Sequence, residues 1–368
     1  MEIRINRENL LAGVQRVQGI VEVKGAMPIL SYLLISTDKE GIYIQATDLE
    51  IGIKGYYTAN VTAPGKVALN ARKLHDIIRE LPDHKEIHLV REENDWVTLK
   101  CEKSVFRLPG LPATDFPVLP DYSEESLMEF KGSFLKEMIR KSAFAVSPDE
   151  TRKGISGLLL EMDNGHATMV GTDGHRLAFI TRPLLKSNLT EKTPFILPKK
   201  TLAELVKLMD EDDATCSFSV KKNHFAFIQN RQVIVSRAID GKFPNYQQVI
   251  PTDNNIQVVV NKDNLLHALR RVALLADEQS KMVRFEIKTG NLTLISDSTE
   301  LGAANEEIAA EYEGEEICIG LNAKYVLEIL GVIDEEEIVL HLKDKDHSCL
   351  IKVKQDQNFL SLVMPMRL

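Results

Sequence analysis

The feature that most constrains this chain is that it repeats itself three times at a period near 125 residues, which implies one architecture built from three similar domains. Helical segments open on paired large residues at Leu10 and Leu11, Phe134 and Leu135, and Leu265 and Leu266, so the leading residues lie 124 and then 131 positions apart. NRENLL at Asn6 and NKDNLL at Asn261 nearly coincide. Each copy continues with a turn and an alternating strand: DKEG before IYIQAT, DNG before HATMVGT, TGN before LTLIS. An acidic residue closes each strand, at Asp48, Asp173 and Asp297. LNARKL, LPKKTL and LNAKYV then open a second helix, and the half-spacings of 64, 68 and 61 residues divide the chain into six units of one helix and several short strands.

This pattern predicts an α+β protein of three similar domains, each with two helices packed on antiparallel sheets. With 368 residues and 44% apolar content, each copy can bury its own core. Boundaries are expected where turn and polar residues gather, at DYSEES (121–126) and PTDNN (251–255), giving domains 1–122, 127–251 and 254–368. Cys101, Cys216, Cys318 and Cys349 lie far apart and form no metal or disulfide pattern, which points to a reduced, cytoplasmic protein. The N-terminus lacks the apolar core of a signal peptide, and VLEILGVI (326–333) is too short to span a bilayer.

A net charge of −9 argues against nucleic-acid binding until its distribution is considered. The helical segments 7–18, 71–80, 133–142, 199–208, 262–272 and 322–330 carry +1, +1, +2, +2, +2 and 0, a total of +8, so the remainder carries −17. On a helical wheel Phe134, Leu135, Met138 and Ile139 oppose Lys136 and Arg140, and Leu202, Leu205, Val206 and Met209 oppose Lys200 and Lys207. Leu74, Ile77, Ile78 and Leu81 oppose Arg72 and Arg79, while Arg270 and Arg271 flank the outer side of the fifth helix. Helices of this kind are expected to lay apolar faces on sheets and turn basic faces outward. Gathered on one surface, they attract a polyanion without reading bases. With one Trp and 6% aromatics there is no stacking platform for single strands, so duplex DNA held by its backbone fits better.

VGTDGHRLA (170–178) is the most distinctive segment, and Asp173 with His175 invites a catalytic or metal reading. Copy 1 has ATDLEIG and copy 3 SDSTELG at the same place, so the Asp reads better as a turn cap, with Gly174 supplying positive φ or close approach. His175 and Arg176 lack partners that would build a nucleophile or metal site and read as rim residues of a binding surface. No phosphate-binding glycine motif occurs, and no cofactor is implied. EEND (92–95), DEDD (210–213) and DEEE (334–337) read as solvated turns. Leu362, Met364, Met366 and Leu368 form a soft apolar strip at the chain end, suited to adaptable contacts or to finishing the last strand's core.

TDGHRLA (172–178), GKFPNYQQVIP (241–251), the VMPMRL terminus and the threefold repeat together resemble the bacterial DNA polymerase III beta subunits, the sliding clamps, over the whole chain. The resemblance implies a homodimer, joined head to tail into a ring around duplex DNA, with helices lining the hole. It implies a pocket between the second and third domains that takes short peptide motifs from the replicative polymerase, the clamp loader and repair proteins. Carried onto this chain, that pocket is Arg152, Ile155, Thr172, Gly174, His175, Arg176, Leu177, Pro244, Val249, Ser348, Leu362, Met364, Pro365, Met366, Arg367 and Leu368. Lys24, Arg79 and Lys200 match DNA-contact positions of the family; the wheels add Arg72, Lys136, Arg140, Lys207, Arg270 and Arg271. At the dimer joint, Lys100, Lys103 and Arg107 are expected to face Glu300, Glu306 and Glu307, with Phe106 on Leu274 and Leu275. Two other readings stay open: a hydrolase or metal enzyme centred on Asp173 and His175, and a monomeric repeat scaffold for proteins alone.

Overall fold

Among the described residues six helices begin where the repeat places them, and in four the first turn is closed by an asparagine. The computed structural model describes residues 1–21, 27–120, 122, 128–163, 165–189, 191–209, 214–221 and 223–368. Among these the helices are α1 (Arg7–Gln18), α2 (Ala71–Glu80), α3 (Gly132–Ser142), α4 (Lys199–Leu208), α5 (Lys262–Val272) and α6 (Ala323–Leu330). The Asn6 side chain accepts the Glu8 amide, Asn70 that of Lys73, Asn261 that of Asn264 and Asn322 that of Tyr325. Each such cap satisfies an amide that has no carbonyl within the helix, worth about 0.5–2 kcal/mol.

The chain divides into two compact units that do not follow the repeat: Met1–Ser133, Leu185–Asn188 and Lys200–Ala238 form one, and Phe134–Leu184, Leu189–Lys199 and Ile239–Leu368 the other. The first unit holds a ten-stranded and a five-stranded antiparallel sheet. In the ten-stranded sheet, strand Ile51–Thr58 of copy 1 pairs with Gln232–Arg237 of copy 2, from Gln232↔Gly55 to Ser236↔Ile51. α1 lies on strands Gly41–Thr47 and Ile51–Thr58, so closely that a Cβ at Gly13 would stand 2.5 Å from Ile44 Cδ1. Strand Ser104–Leu108 is an outer edge of the five-stranded sheet.

The second unit is built on a twelve-stranded sheet in which Arg176–Pro183 of copy 2 pairs with Asp356–Val363 of copy 3, from Arg176↔Val363 to Ile180↔Phe359. Gly302–Glu311 pairs along its length with Asn291–Ser298, but on its other side only Ala310 and Glu311 meet Val260 and Val259. Among the described residues, 302–309 therefore present an unpaired backbone edge. The buried side chains lie between helices and sheets, as the wheels require: Leu135, Met138 and Ile139 of α3, Leu202 and Leu205 of α4, and Leu265 and Leu269 of α5 are all buried.

Two expectations about side-chain placement, and one about the acidic runs, need correcting. Val206 is exposed and Phe134 only half-buried, because each sits at the margin of its helix's apolar arc. Lys141 is 2% exposed: its ammonium reaches Glu137 at 3.1 Å and Glu335 at 3.7 Å and lies 5.0 Å from the Phe359 ring. The acidic runs are accordingly not simply solvated. Asp334, Glu335 and Glu337 pair with Arg140, Lys141 and Lys354, while Glu92 and Asp95 pair with Arg107 and Arg91. DEDD (210–213) and all of DYSEES except Tyr122 lie outside the described residues. The PTDNN segment is anchored: Asn254 Nδ2 donates to the carbonyls of His341 at 3.0 Å and Ser348 at 2.8 Å.

Candidate functional site

The turn at 172–176 is built from its own side chains. Thr172 Oγ1 accepts the Gly174 amide at 3.1 Å and donates to the Arg176 carbonyl at 2.6 Å, while Asp173 Oδ1 accepts the amides of His175 and Arg176 at 2.9 and 3.0 Å. Gly174 has φ +94°. Copy 1 reproduces the device: Thr47 Oγ1 donates to the Ile51 carbonyl, Asp48 Oδ1 accepts Glu50 and Ile51, and Leu49 takes φ 76°. In copy 3 the cap shifts by one residue. Ser298 Oγ accepts the amides of Glu300 and Leu301 at 3.3 Å, and Asp297 is exposed. A hydroxyl and a carboxylate both cap such a turn, so DS replaces TD without loss of the bend.

Arg176 is not a rim residue. It is 7% exposed, its Nε donates to Asp173 at 3.0 Å and its Nη2 to the Phe144 carbonyl at 2.8 Å, and its Nη1 pairs with Glu328. The guanidinium also lies 4.5 Å from the Tyr325 ring. A planar cation with five fixed donors fits this crowded place, where a lysine would leave acceptors unmet. It ties the turn to α6.

Against this turn lies a pocket of roughly 220 Å³ lined by Arg152, Ile155, Thr172, Gly174, Arg176, Leu177, Pro244, Tyr246, Val249, Leu362 and Met364. Its floor is a buried cluster of Leu159, Val170, Leu177, Ile196, Tyr246, Leu350 and Leu362. Leu362 thus belongs to the core rather than to an exposed terminal strip. Arg152 Nη1 donates to the Asp173 carbonyl at 3.0 Å, and Val249 and Met364, 44% and 40% exposed, form apolar lips.

Of the remaining residues expected here, none lines the cavity. The exposed His175 gives its carbonyl to the Met364 amide at 2.8 Å, and Met366 bonds through its amide to the Gly320 carbonyl at 2.8 Å. Pro365 and Met366 are half-buried, while Arg367 and Leu368 are exposed. Ser348 is 9% exposed and held through its carbonyl by Asn254. Tyr246 was not anticipated. Its hydroxyl donates to Glu161 at 2.6 Å, and burial first, then that carboxylate, push its phenol well above the ordinary value. The available signal was its place in the FP-containing segment, where copy 1 puts Leu119.

The expected basic positions among the described residues are dispersed over four helices, α2 to α5. Arg72 and Arg270 are exposed, and among the described residues neither makes an ion pair. Arg79 pairs with Glu80 at 3.1 Å, Lys207 with Glu204 at 2.8 Å, Lys200 with Asp48, Arg140 with Asp334 and Arg271 with Glu306. Lys136 is half-buried, and Lys24 lies outside the described residues.

Lys100, Lys103, Glu300 and Glu307 are exposed. Arg107 and Glu306 already have partners within the chain, Glu92 and Arg271, so the expected charge matching rests on the other four. Leu274 is 76% exposed; Phe106 and Leu275 are half-buried. All four cysteines are free thiols, and burial pushes Cys216 and Cys349 up to about 12. Among the described residues no group of three His, Cys, Asp or Glu side chains is placed to hold a metal, and no helix is long and apolar enough to cross a membrane.

Family models describing the N-terminal, central and C-terminal domains of the DNA polymerase III beta subunit match residues 1–120, 129–245 and 247–367. The chain is 32% identical to the beta sliding clamp of Pseudomonas aeruginosa over 369 residues and 33% identical to that of Caulobacter vibrioides over 372, each covering all of both chains. Among solved structures it resembles the P. aeruginosa DnaN clamp bound to griselimycin at a TM-score of 0.96, with 32% identity and complete coverage of both chains. A second neighbour, at TM-score 0.92, 32% identity and full coverage of both, is the DNA polymerase sliding clamp of Caulobacter crescentus.

Proposed function

Since this chain belongs to the DNA polymerase III beta subunit family, the non-catalytic sliding-clamp processivity factors of DNA replication, we propose that two copies join head to tail into a ring around duplex DNA. The proposed domains are 1–122, 127–251 and 254–368. The observation that carries the ring is a pair of open strand edges, Ser104–Leu108 in the first copy and 302–309 in the third. A sheet edge with free amides and carbonyls pairs readily with another chain, and such a contact made twice closes under twofold symmetry. Lys100 and Lys103 beside one edge and Glu300 and Glu307 beside the other favour that pairing, and the exposed Leu274 with Leu275 offers Phe106 an apolar seat.

The pocket on Leu177 and Leu362 holds a short peptide of a replicative polymerase, clamp loader or repair protein. Its apolar floor accepts hydrophobic side chains, and Arg152 stands at its margin. Nothing at Asp173 or His175 is poised for chemistry, since Asp173 is consumed by two backbone amides and Arg176.

The mechanism is topological. Basic residues on the helices hold phosphates without reading bases, so no base-specific bond breaks as the ring moves, and the closed ring cannot leave without opening. Tethering a polymerase then raises its effective concentration at the primer end. The test is loading onto nicked circular DNA followed by linearisation. Retention on circles and loss on linearised DNA is expected, together with a native mass twice the 41.4 kDa of the chain. A protein that stays monomeric, or that is retained equally on both DNAs, removes the proposal. The same family membership favours a cytoplasmic site of action.

A further inference from the structure

Five of the cations proposed to meet DNA are engaged already, and three of them, Lys200, Arg140 and Arg271, take partners from distant parts of the chain. Lys200 of copy 2 is held by Asp48 of copy 1, and Arg140 of copy 2 by both oxygens of Asp334 of copy 3. Within copy 3, Arg271 is held by both oxygens of Glu306. These are not chance neighbours on one helix. Asp48 has 8% side-chain exposure and is fixed by the amides of Glu50 and Ile51 at 3.0 and 2.7 Å, so the acceptor waits in place whether or not the lysine comes. The Arg140 and Arg271 pairs have the bidentate geometry that makes an exposed ion pair persist.

We propose that Asp48 and Asp334 act as built-in counter-charges that compete with DNA phosphates for Lys200 and Arg140, so that the ring holds duplex loosely and slides. The idea rests on the DNA-encircling reading. A cation that must leave a carboxylate to reach a phosphate gains little, since one anion replaces another. The liberated carboxylate then stands beside the DNA and gathers a cation from solution, which offsets the counterion that the DNA released. Affinity and its salt dependence therefore both fall below what the number of basic residues implies.

The experiment is equilibrium binding of the full-length protein to a short fluorescent duplex across a KCl series. It compares the wild type with the double variant Asp48→Asn and Asp334→Asn, where asparagine at 48 keeps an oxygen for the turn amides. The expected result is tighter binding by several-fold. The slope of log K against log salt should steepen by about 0.9 for each cation that now reaches a phosphate.

Glu93→Gln with Glu313→Gln makes the same change of net charge at exposed positions unpaired with any helix cation among the described residues. It should move neither quantity comparably. Equal effects in the two double variants, or an unchanged slope with Asp48 and Asp334 neutralised, overturns the proposal while leaving the clamp reading intact. Arg72→Gln with Arg270→Gln separates the two ideas, because among the described residues these cations have no counter-charge to release, and their loss must weaken binding if DNA lies against the helices. If neither they nor the wild type show binding or retention on circular DNA, both readings fall.

Discussion

At the level of single residues, the turn at 172–176 shows what a motif discloses and what it conceals. The recurrence of TD in copies 1 and 2 was enough to assign Asp173 a capping role, while Gly174 pointed to positive φ or close approach and takes φ +94°. The one-residue shift in copy 3 was hidden because Ser298 caps as Asp does. Arg176 was legible as important but not as buried, since its acceptors Phe144 and Glu328 lie 32 and 152 residues away. Gly174→Ala is expected to cost about 1 kcal/mol in urea unfolding, because φ +94° disfavours a Cβ, which would also stand 3.2 Å from Arg152 Nη2. The loss should remain modest, as Leu49 adopts the matching conformation in copy 1. Tyr246→Phe removes the bond to Glu161, which keeps Lys192 at 2.7 Å; a loss of about 1 kcal/mol in the same measurement is expected.

Helices were the most readable elements, because their period, asparagine caps and apolar arcs agree locally. What could not be read was which charged positions another copy would cover. Lys141 looks like any other helix lysine until Glu335, nearly two hundred residues later, arrives beside it. The same region holds Arg182, which bonds both Glu137, at 2.6 and 2.7 Å, and Asp356, at 2.5 and 3.3 Å. Burial pushes the Glu137 carboxyl up, but Arg182 and Lys141 more than offset it and hold it below its usual 4.5. A lowered carboxyl stabilises the fold above the unfolded value and loses that contribution as pH falls through the folded one. Glu137→Gln should therefore lower stability by about 3 kcal/mol at neutral pH, leaving Lys141 and Arg182 short of an anion. Below pH 4.5 the difference from wild type should shrink, as urea titrations at several pH values would show.

Across the whole molecule, the threefold repeat disclosed the number of copies but not how contacts would apportion them. Strands of copy 2 complete a sheet with copy 1 in one compact unit and with copy 3 in the other. Ladder pairing between repeats leaves no trace in the periodicity of a single strand, which is why the compact units could not be foreseen. On this basis residues 127–251 expressed alone should show weak or absent cooperative unfolding by calorimetry, whereas the full chain unfolds sharply. An independently folded middle fragment with a sharp transition would contradict it. A repeat whose copies share sheets in this way does not separate along its own borders. Splitting the gene at either junction should yield halves that recover structure only by finding each other, and recombination that swaps one repeat between related proteins must bring matching borders along with it.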